Sequence, residues 1–296
     1  MNPKHLILTL LLMLCPIGMA AQSTITRHKP KPAVTKPKPA AKPKPKAKAK
    51  PAPRRNSTSH SSSTVSLSAE LNKLINNMVY VSGGTFTMGA TSEQGSDARS
   101  DEKPTHSVTL SSYYICKYEV TQALWRAVMG SNPSYFKGDN LPVEKVSWYD
   151  CQTFIKRLNS YTGRNFRLPT EAEWEFAARG GNYSRHYKYS GSNYPDDVAW
   201  YSESNGGTHP VGTKQANELG LYDMSGNVWE WCSDWYGSYS SYSQSNPTGA
   251  ASGSDRVLRG GSWDFDSRFC RSSLRSDPEP GYRDSGVGLR LVLSQL

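Results

Sequence analysis

Beyond residue 180 the apolar residues stop recurring at a helical spacing, and glycine, serine, aspartate, tyrosine and tryptophan take over. This limits the fold more than any other feature. It leaves room for short elements and long ordered loops around an aromatic core, because loops so rich in turn formers cannot continue a helix. All eight tryptophans lie between residues 125 and 263, which places that core. No internal repeat is visible. The chain reads as a single α+β domain of short elements.

Before residue 180 regular elements can be placed. "MVYVSGGTFTMG" gives two alternating runs, Val79/Val81 and Phe86/Met88, on either side of Gly83-Gly84, which predicts a hairpin. "HSVTLSSYYICKYEVT" (106–121) predicts one further strand. "TQALWRAVMG" places Leu124, Trp125 and Val128 on one helix face, with Gly130 as its stop. In "SWYDCQTFIKRLNSYTG" Cys151, Phe154, Ile155 and Leu158 share a face, and Gly163 ends the helix. "LPTEAEWEFAARGG" has Thr170 as N-cap and Glu173 three residues on, a capping box. Its predicted inward residues are Trp174, Ala177 and Ala178, with Gly180 as the stop.

The N-terminus reads as a secretory signal peptide over residues 1–20. Lys4 and His5 precede the apolar run Leu6–Leu14, and Gly18 and Ala20 are small residues at a cleavage point. A run of nine residues is too short to span a bilayer, which needs about 20. Leu14 and Pro16 around Cys15 do not suit lipoprotein processing. Residues 21–75 read as a tether, Lys/Pro-rich and then Ser-rich, with a short lead-in helix at "AELNKLINNM". Alternating proline and like charge extend such a segment at about 3.1 Å per residue. As partners, the tether's basic character suits an anionic wall or lipid surface.

The net charge of +10 is local. Residues 27–55 hold twelve Lys and Arg and no acid, whereas residues 76–296 hold 21 basic and 24 acidic residues. The domain itself is therefore near −3 and lacks the basic footprint of a nucleic-acid binder. Export implies an oxidising compartment, and four cysteines remain after cleavage: Cys116, Cys151, Cys232 and Cys270. That is sparse for a domain of this size, so the core carries the fold. His106, His186 and His209 show no ligand spacing.

Seven motifs in order carry a resemblance: "YVSGGTFTMG", "EVTQALW", "PVEKVSWYDC", "RLPTEAEWEFAARGG", "GLYDMSGNVWEWCSDW", "RVLRGGSW" and "GLRLV". The stretch from Met78 to Leu296 resembles the formylglycine-generating enzyme superfamily, also called the sulfatase-modifying factor family. The resemblance implies a C-type-lectin-like α+β fold over residues 76–296, with little regular secondary structure. It implies oxidation of a sulfatase cysteine to formylglycine, with Cu(I) and oxygen. Two thiolates five residues apart hold the copper, since soft ligands select Cu(I). Cys270 matches one of them and Phe265 stands where the other belongs. Ser262 matches a serine of the same site, and Gly286 replaces the family's asparagine. Asp264 and Asp266 are hard donors, poorly suited to Cu(I).

The resemblance also implies structural Ca2+ on Asp223 and Glu230 with the Gly226 and Val228 carbonyls, the family having asparagine where this chain has Asp223. A second Ca2+ set begins at Asp197 and the Val198 carbonyl, with Ser204 or Asn205 to complete it. Near the implied cleft, Cys232 and Cys270 are candidates for a disulfide, and Cys116 with Cys151 for a weaker one. The loop "SDWYGSYSSYSQSNP" (233–247) suits adaptable contacts with sugars or proteins, and "GSNPSYF" (130–136) is expected on the same rim. The expectation is an exported module, periplasmic, cell-surface or secreted, that binds a protein or glycan without catalysis. The alternative is an oxidase acting through Cys270 and Ser262.

Overall fold

A computed structural model describes residues 59–294 except Asn205. The expected signal peptide and most of the expected tether lie outside the described residues. The described residues belong to one compact unit. Among the described residues no helix is long and apolar enough to cross a membrane.

The chain opens with helix α1, Ser59–Asn76. It starts ten residues before the expected lead-in, within the stretch read as tether. A stripe of Leu67, Leu71, Leu74 and Ile75 explains its docking: one apolar face lies against the core. The folded domain therefore begins before residue 76.

Strands β1 (Met78–Val81) and β2 (Gly84–Met88) do not form the expected hairpin with each other. β2 pairs with β3 (His106–Leu110), and β1 pairs with β4 (Tyr113–Cys116), in one unbroken register from Met78↔Cys116 to Met88↔His106. The predicted strand over 106–121 is thus two strands, bent at Ser111–Ser112 opposite Ser82–Gly83. There the Gly83 amide donates to Ser112 Oγ at 2.9 Å. A Cβ on Gly83 would lie 2.5 Å from the Leu110 carbonyl oxygen, so only glycine lets the bent strands approach. The long ribbon feeds two sheets.

The helices follow their caps. Helix α2 (Gln122–Met129) has Thr121 as N-cap and left-handed Gly130 at its end. Helix α3 (Trp148–Thr162) has a Ser147/Asp150 capping box and left-handed Gly163. After β5 (Phe166–Arg167), helix α4 (Glu171–Ala178) carries the expected Thr170/Glu173 box. Its burial exceeds expectation, because all eight residues are buried and not only the apolar ones. A four-residue helix α5 (Pro195–Val198) and the strands β6 (Ala199–Trp200), β7 (Ser225–Gly226), β8 (Trp229–Trp235), β9 (Gln244–Ser245), β10 (Arg256–Arg259), β11 (Arg275–Ser276), β12 (Val287–Gly288) and β13 (Val292–Leu293) complete the fold.

The sheets order as β1-β4-β13-β5, β11-β10-β8-β12, β2-β3-β9 and β6-β7. One core gathers α2, α3 and the apolar face of α1, with Trp125 stacked on Phe154. A second gathers α4 with β2, β3 and β8. The glutamates of α4 are buried because arginines from later strands meet them. Glu171 pairs with Arg275 at 2.6 Å, and Glu175 pairs with Arg259, both arginines wholly or almost wholly buried. Elsewhere Glu102 meets Arg271 at 2.5 Å and Glu230 meets Arg290 at 2.7 Å. Each such charge avoids the large cost of solitary burial only through its partner.

Candidate functional site

The segment after β10 holds the residues that the sequence singles out. Gly260 and Gly261 take positive φ and turn the chain away from the strand. A Cβ on Gly261 would stand 2.8 Å from Cys270 Sγ, so this turn closes directly over the thiol. Ser262 is buried and donates to Asp264 Oδ1 at 2.5 Å. Gly286 faces the same pair: a Cβ there would lie 2.8 Å from Ser262 Oγ and 3.0 Å from Asp264 Oδ1. The structure therefore brings Ser262 and Gly286 together, with Asp264 crowding the space into which a larger residue at 286 would grow.

Phe265 does not point into the core. It is 38% exposed and packs edge-on against Trp229, with centroids 5.6 Å apart, and against Phe269 at 5.2 Å. Trp263 is held by its Nε1, which donates to the Ser285 carbonyl at 3.1 Å, and Phe136 meets it edge-on at 5.3 Å. Glu144 fixes that neighbouring loop, because the Phe136 amide donates to its Oε1 at 2.8 Å. With exposed Tyr135 and Tyr282, and with Asp264 and Asp266, the result is an aromatic and acidic surface.

Cys270 lies beneath it, fully buried in a small cluster with Tyr189, Val198, Ala199 and Tyr201. Burial, and then the negative charges of Asp266 and Asp264, push its thiol well above the ordinary range. A protonated, buried thiol is neither a nucleophile nor a soft metal ligand.

All four described cysteines are free thiols, which corrects both disulfide expectations. Cys232 faces the α4 core while Cys270 ends the 267–270 turn in a different cluster, so the two are not paired. Cys116 and Cys151 share a core without bonding. The two expected rim segments also separate. The 130–136 segment borders Trp263, whereas residues 235–240 of the Tyr/Ser loop line a cavity beside Asp234, near the opposite end of β8.

The expected calcium residues form a buried acidic loop. Glu230 is committed: Arg290 binds both its oxygens at 2.7–3.1 Å, and Trp174 Nε1 donates to it at 2.7 Å. Asp223 differs. It has φ of +57°, a conformation that Asp and Asn tolerate better than most residues. Its Oδ2 accepts from the Gly212 amide at 2.7 Å, while Oδ1 is buried without a partner. Burial raises its carboxyl to about 6. Glu119, which the sequence did not single out, lies alongside. It accepts from Asn227 Nδ2 at 2.7 Å and from the Val228 amide at 3.1 Å. Burial, then Asp223 and Glu230, raise its carboxyl well above the ordinary range.

For Ca2+, then, Asp223 has an open oxygen and Glu230 has none. At the second set Asp197 Oδ2 accepts from Ser192 Oγ at 2.7 Å and Ser204 Oγ from the Tyr201 amide at 3.2 Å, while Asn205 lies outside the described residues. Among the described residues no three His, Cys, Asp or Glu are grouped to hold a metal ion.

These features define a loop-rich α+β domain of the C-type-lectin-like class, with an exposed aromatic surface after its "GGSW" turn. The Sulfatase-modifying factor enzyme 1-like domain matches residues 64–295, and the chain belongs to that family. It is 38% identical to Chaperone protein LppX of Paenibacillus barcinonensis, over 74% of this chain and 90% of LppX. It is 34% identical to the formylglycine-generating enzyme of Mus musculus, over 60% of this chain and 50% of that enzyme. A match to the serine/threonine-protein kinase Pkn1 of Chlamydia trachomatis, 32% identical, covers 73% of this chain and only 38% of the kinase. Among solved structures, Treponema denticola variable protein 1 superposes with a TM-score of 0.68 at 34% identity, covering 74% of this chain and 95% of that one. The formylglycine-generating-enzyme fold is thereby shown.

Proposed function

We propose that this chain is a non-catalytic binding module, exported through residues 1–20, whose segment after β10 presents an aromatic and acidic face to a protein or glycan outside the cytoplasm. One observation carries this reading. At the position of the family's second copper thiolate stands Phe265, exposed and packed on Trp229 and Phe269, while the remaining thiol of Cys270 is buried below it. A surface of rigid aromatics beside exposed polar groups suits recognition. The test is incubation of the full chain with a Cys-x-Pro-x-Arg peptide, Cu(I) and oxygen, followed by mass spectrometry. The peptide thiol is expected to stay intact; conversion to formylglycine would establish the oxidase alternative acting through Cys270 and Ser262.

The structural calcium belongs to the same reading. Asp223, with the Gly226 and Val228 carbonyls, is the supported part of the first set, since its Oδ1 lacks a partner; Asp197 and Val198 begin the second. Hard oxygens in a turn-rich loop suit Ca2+. Adding Ca2+ to chelator-treated protein should raise Tm, and Asp223→Ala should abolish most of that rise. An unchanged Tm refutes the calcium.

A further inference from the structure

The Tyr/Ser loop that this surface does not use covers a separate cavity of about 220 Å³. Met88, Ala172, Trp235 and Tyr239 supply apolar and aromatic wall, and Asp234, Glu171, Arg275 and His106 supply polar groups. It sits by the C-terminal end of β8, whereas Trp229, at the other end, meets Phe265. Six residues of strand separate the two by roughly 20 Å.

What remains unpaired in this cavity has one sign. Arg275 is largely committed, because Nε and Nη2 donate to Glu171 at 2.7 and 2.6 Å and Nη1 donates to the Gly237 and Asp101 carbonyls. Glu171 is neutralised by that pair and also accepts from Tyr239 Oη at 3.2 Å. Arg256, outside the walls, is sandwiched between Trp148 and Trp235 and donates to the Ser233 carbonyl. Asp234 is different. It is 3% exposed, and its Oδ2 accepts from the Glu171 amide at 3.1 Å and from Ser233 Oγ at 2.9 Å. Its Oδ1 takes no hydrogen bond among the described residues and lies toward Gly249, where a Cβ would approach it to 3.0 Å. Gly249 itself lines the cavity, so the absence of a side chain there keeps that oxygen reachable. His106 Nδ1 is engaged by the Pro104 carbonyl at 3.3 Å, which leaves Nε2 without a hydrogen bond among the described residues.

Burial, and then the charge of Glu171, raise the Asp234 carboxyl to about 7, as expected of a buried carboxylate with no ion pair at hydrogen-bond distance among the described residues. Two other cavities differ. Arg167 and Glu173 satisfy each other in one, and Arg179 is spent on Glu175, Glu93 and the Gly89 carbonyl in another.

We infer that this cavity binds a primary ammonium on a compact stem, the Asp234 carboxylate meeting the charge while Tyr239, Trp235 and Met88 enclose the stem. The volume suits one amino-sugar ring or the end of a lysine side chain. Both sources carry the same ammonium, and a carboxylate with an open oxygen favours it over its neutral form.

The experiment titrates the full chain by calorimetry and tryptophan fluorescence with two probes, glucosamine and Nα-acetyl-lysine amide. Each is compared with its N-acetylated neutral form. At least one ammonium probe should bind with a Kd of about 1 mM or tighter, and its neutral form about tenfold more weakly. The probe that binds identifies the source. Asp234→Asn should remove the preference for the charged form. Gln244→Trp, a surface substitution at the cavity mouth, should weaken binding even if Asp234→Asn does not fold. Phe265→Ala, on the other surface, should leave the affinity unchanged. Equal affinity for charged and acetylated probes overturns the inference. So does absence of binding up to about 10 mM, or loss of binding in Phe265→Ala.

Discussion

Helix α4 and the surface after β10 distribute polarity in opposite ways. The helix buries three glutamates, yet arginines arriving from β5, β10 and β11 answer all of them. The segment after β10 and its neighbours expose Phe265, Tyr135 and Tyr282 to solvent, and its ion pair of Asp266 with Arg268 lies at the surface. In most folds the acids would suggest chemistry and the phenylalanine would suggest core. Here the charged region is scaffold, held by mutual neutralisation, and the apolar region is the one left open to solvent. Partnering, rather than residue type, separates structure from function.

The comparison breaks most sharply at a buried pair. Arg271→Met leaves Glu102 uncompensated in the core, and Arg290→Met does the same to Glu230. Each should cost about 3–5 kcal/mol in urea unfolding. A loss below about 1 kcal/mol would mean that the scaffold does not depend on these pairs.

The next effect is pH-dependent and belongs to Asp234. Its folded carboxyl, at about 7, lies above the unfolded value of about 3.9. The native state then binds more protons than the unfolded state, so this group makes stability fall as pH rises from about 4 through 7. Asp234→Asn should remove that slope, gaining roughly 1–3 kcal/mol relative to wild type at pH 8 and little near pH 4. Parallel stability curves for the two proteins refute it.

Smaller still is the response of the surface after β10. Phe265→Cys should change stability by about 1 kcal/mol or less, because the site is partly exposed. It should also add one thiol that reacts with a disulfide reagent in the folded protein, while Cys116, Cys151, Cys232 and Cys270 react only on unfolding. A rapid reaction at Cys270 in the wild type would contradict its burial. Smallest is the exposed pair of Arg283 with Asp150 at 2.7 Å, where Arg283→Ala should shift stability by about 0.5 kcal/mol or less.

How far the sequence could be read follows the same division. Thr170, Gly130 and Gly163 announce helix ends because capping is local chemistry. The strand at Met78–Met88 could be seen, but its partner could not. Gly83-Gly84 imitates a turn, while the true partner at 106–116 is fixed by pairing over distance. α4 looked half-polar because its arginines come from remote strands. The start of α1 was missed because serines obscure the stripe that begins at Leu67. At the candidate site, Ser262, Phe265 and Gly286 were legible through family resemblance. Glu119 and Asp234 were not, since what marks each of them is burial beside particular neighbours.

The sheet β1-β4-β13-β5 holds a further consequence. β13, at Val292–Leu293, lies between β4 and β5 and bonds to both, while β1 begins at Met78. A sheet begun near one end of the domain is thus completed only by residues from the other. A ribosome or a translocation channel releasing this chain from its N-terminus would hold it with that gap unfilled until residue 293 had emerged. Such a chain stays threadable for almost the whole of its passage and then closes late, around an element inserted between strands already waiting for it.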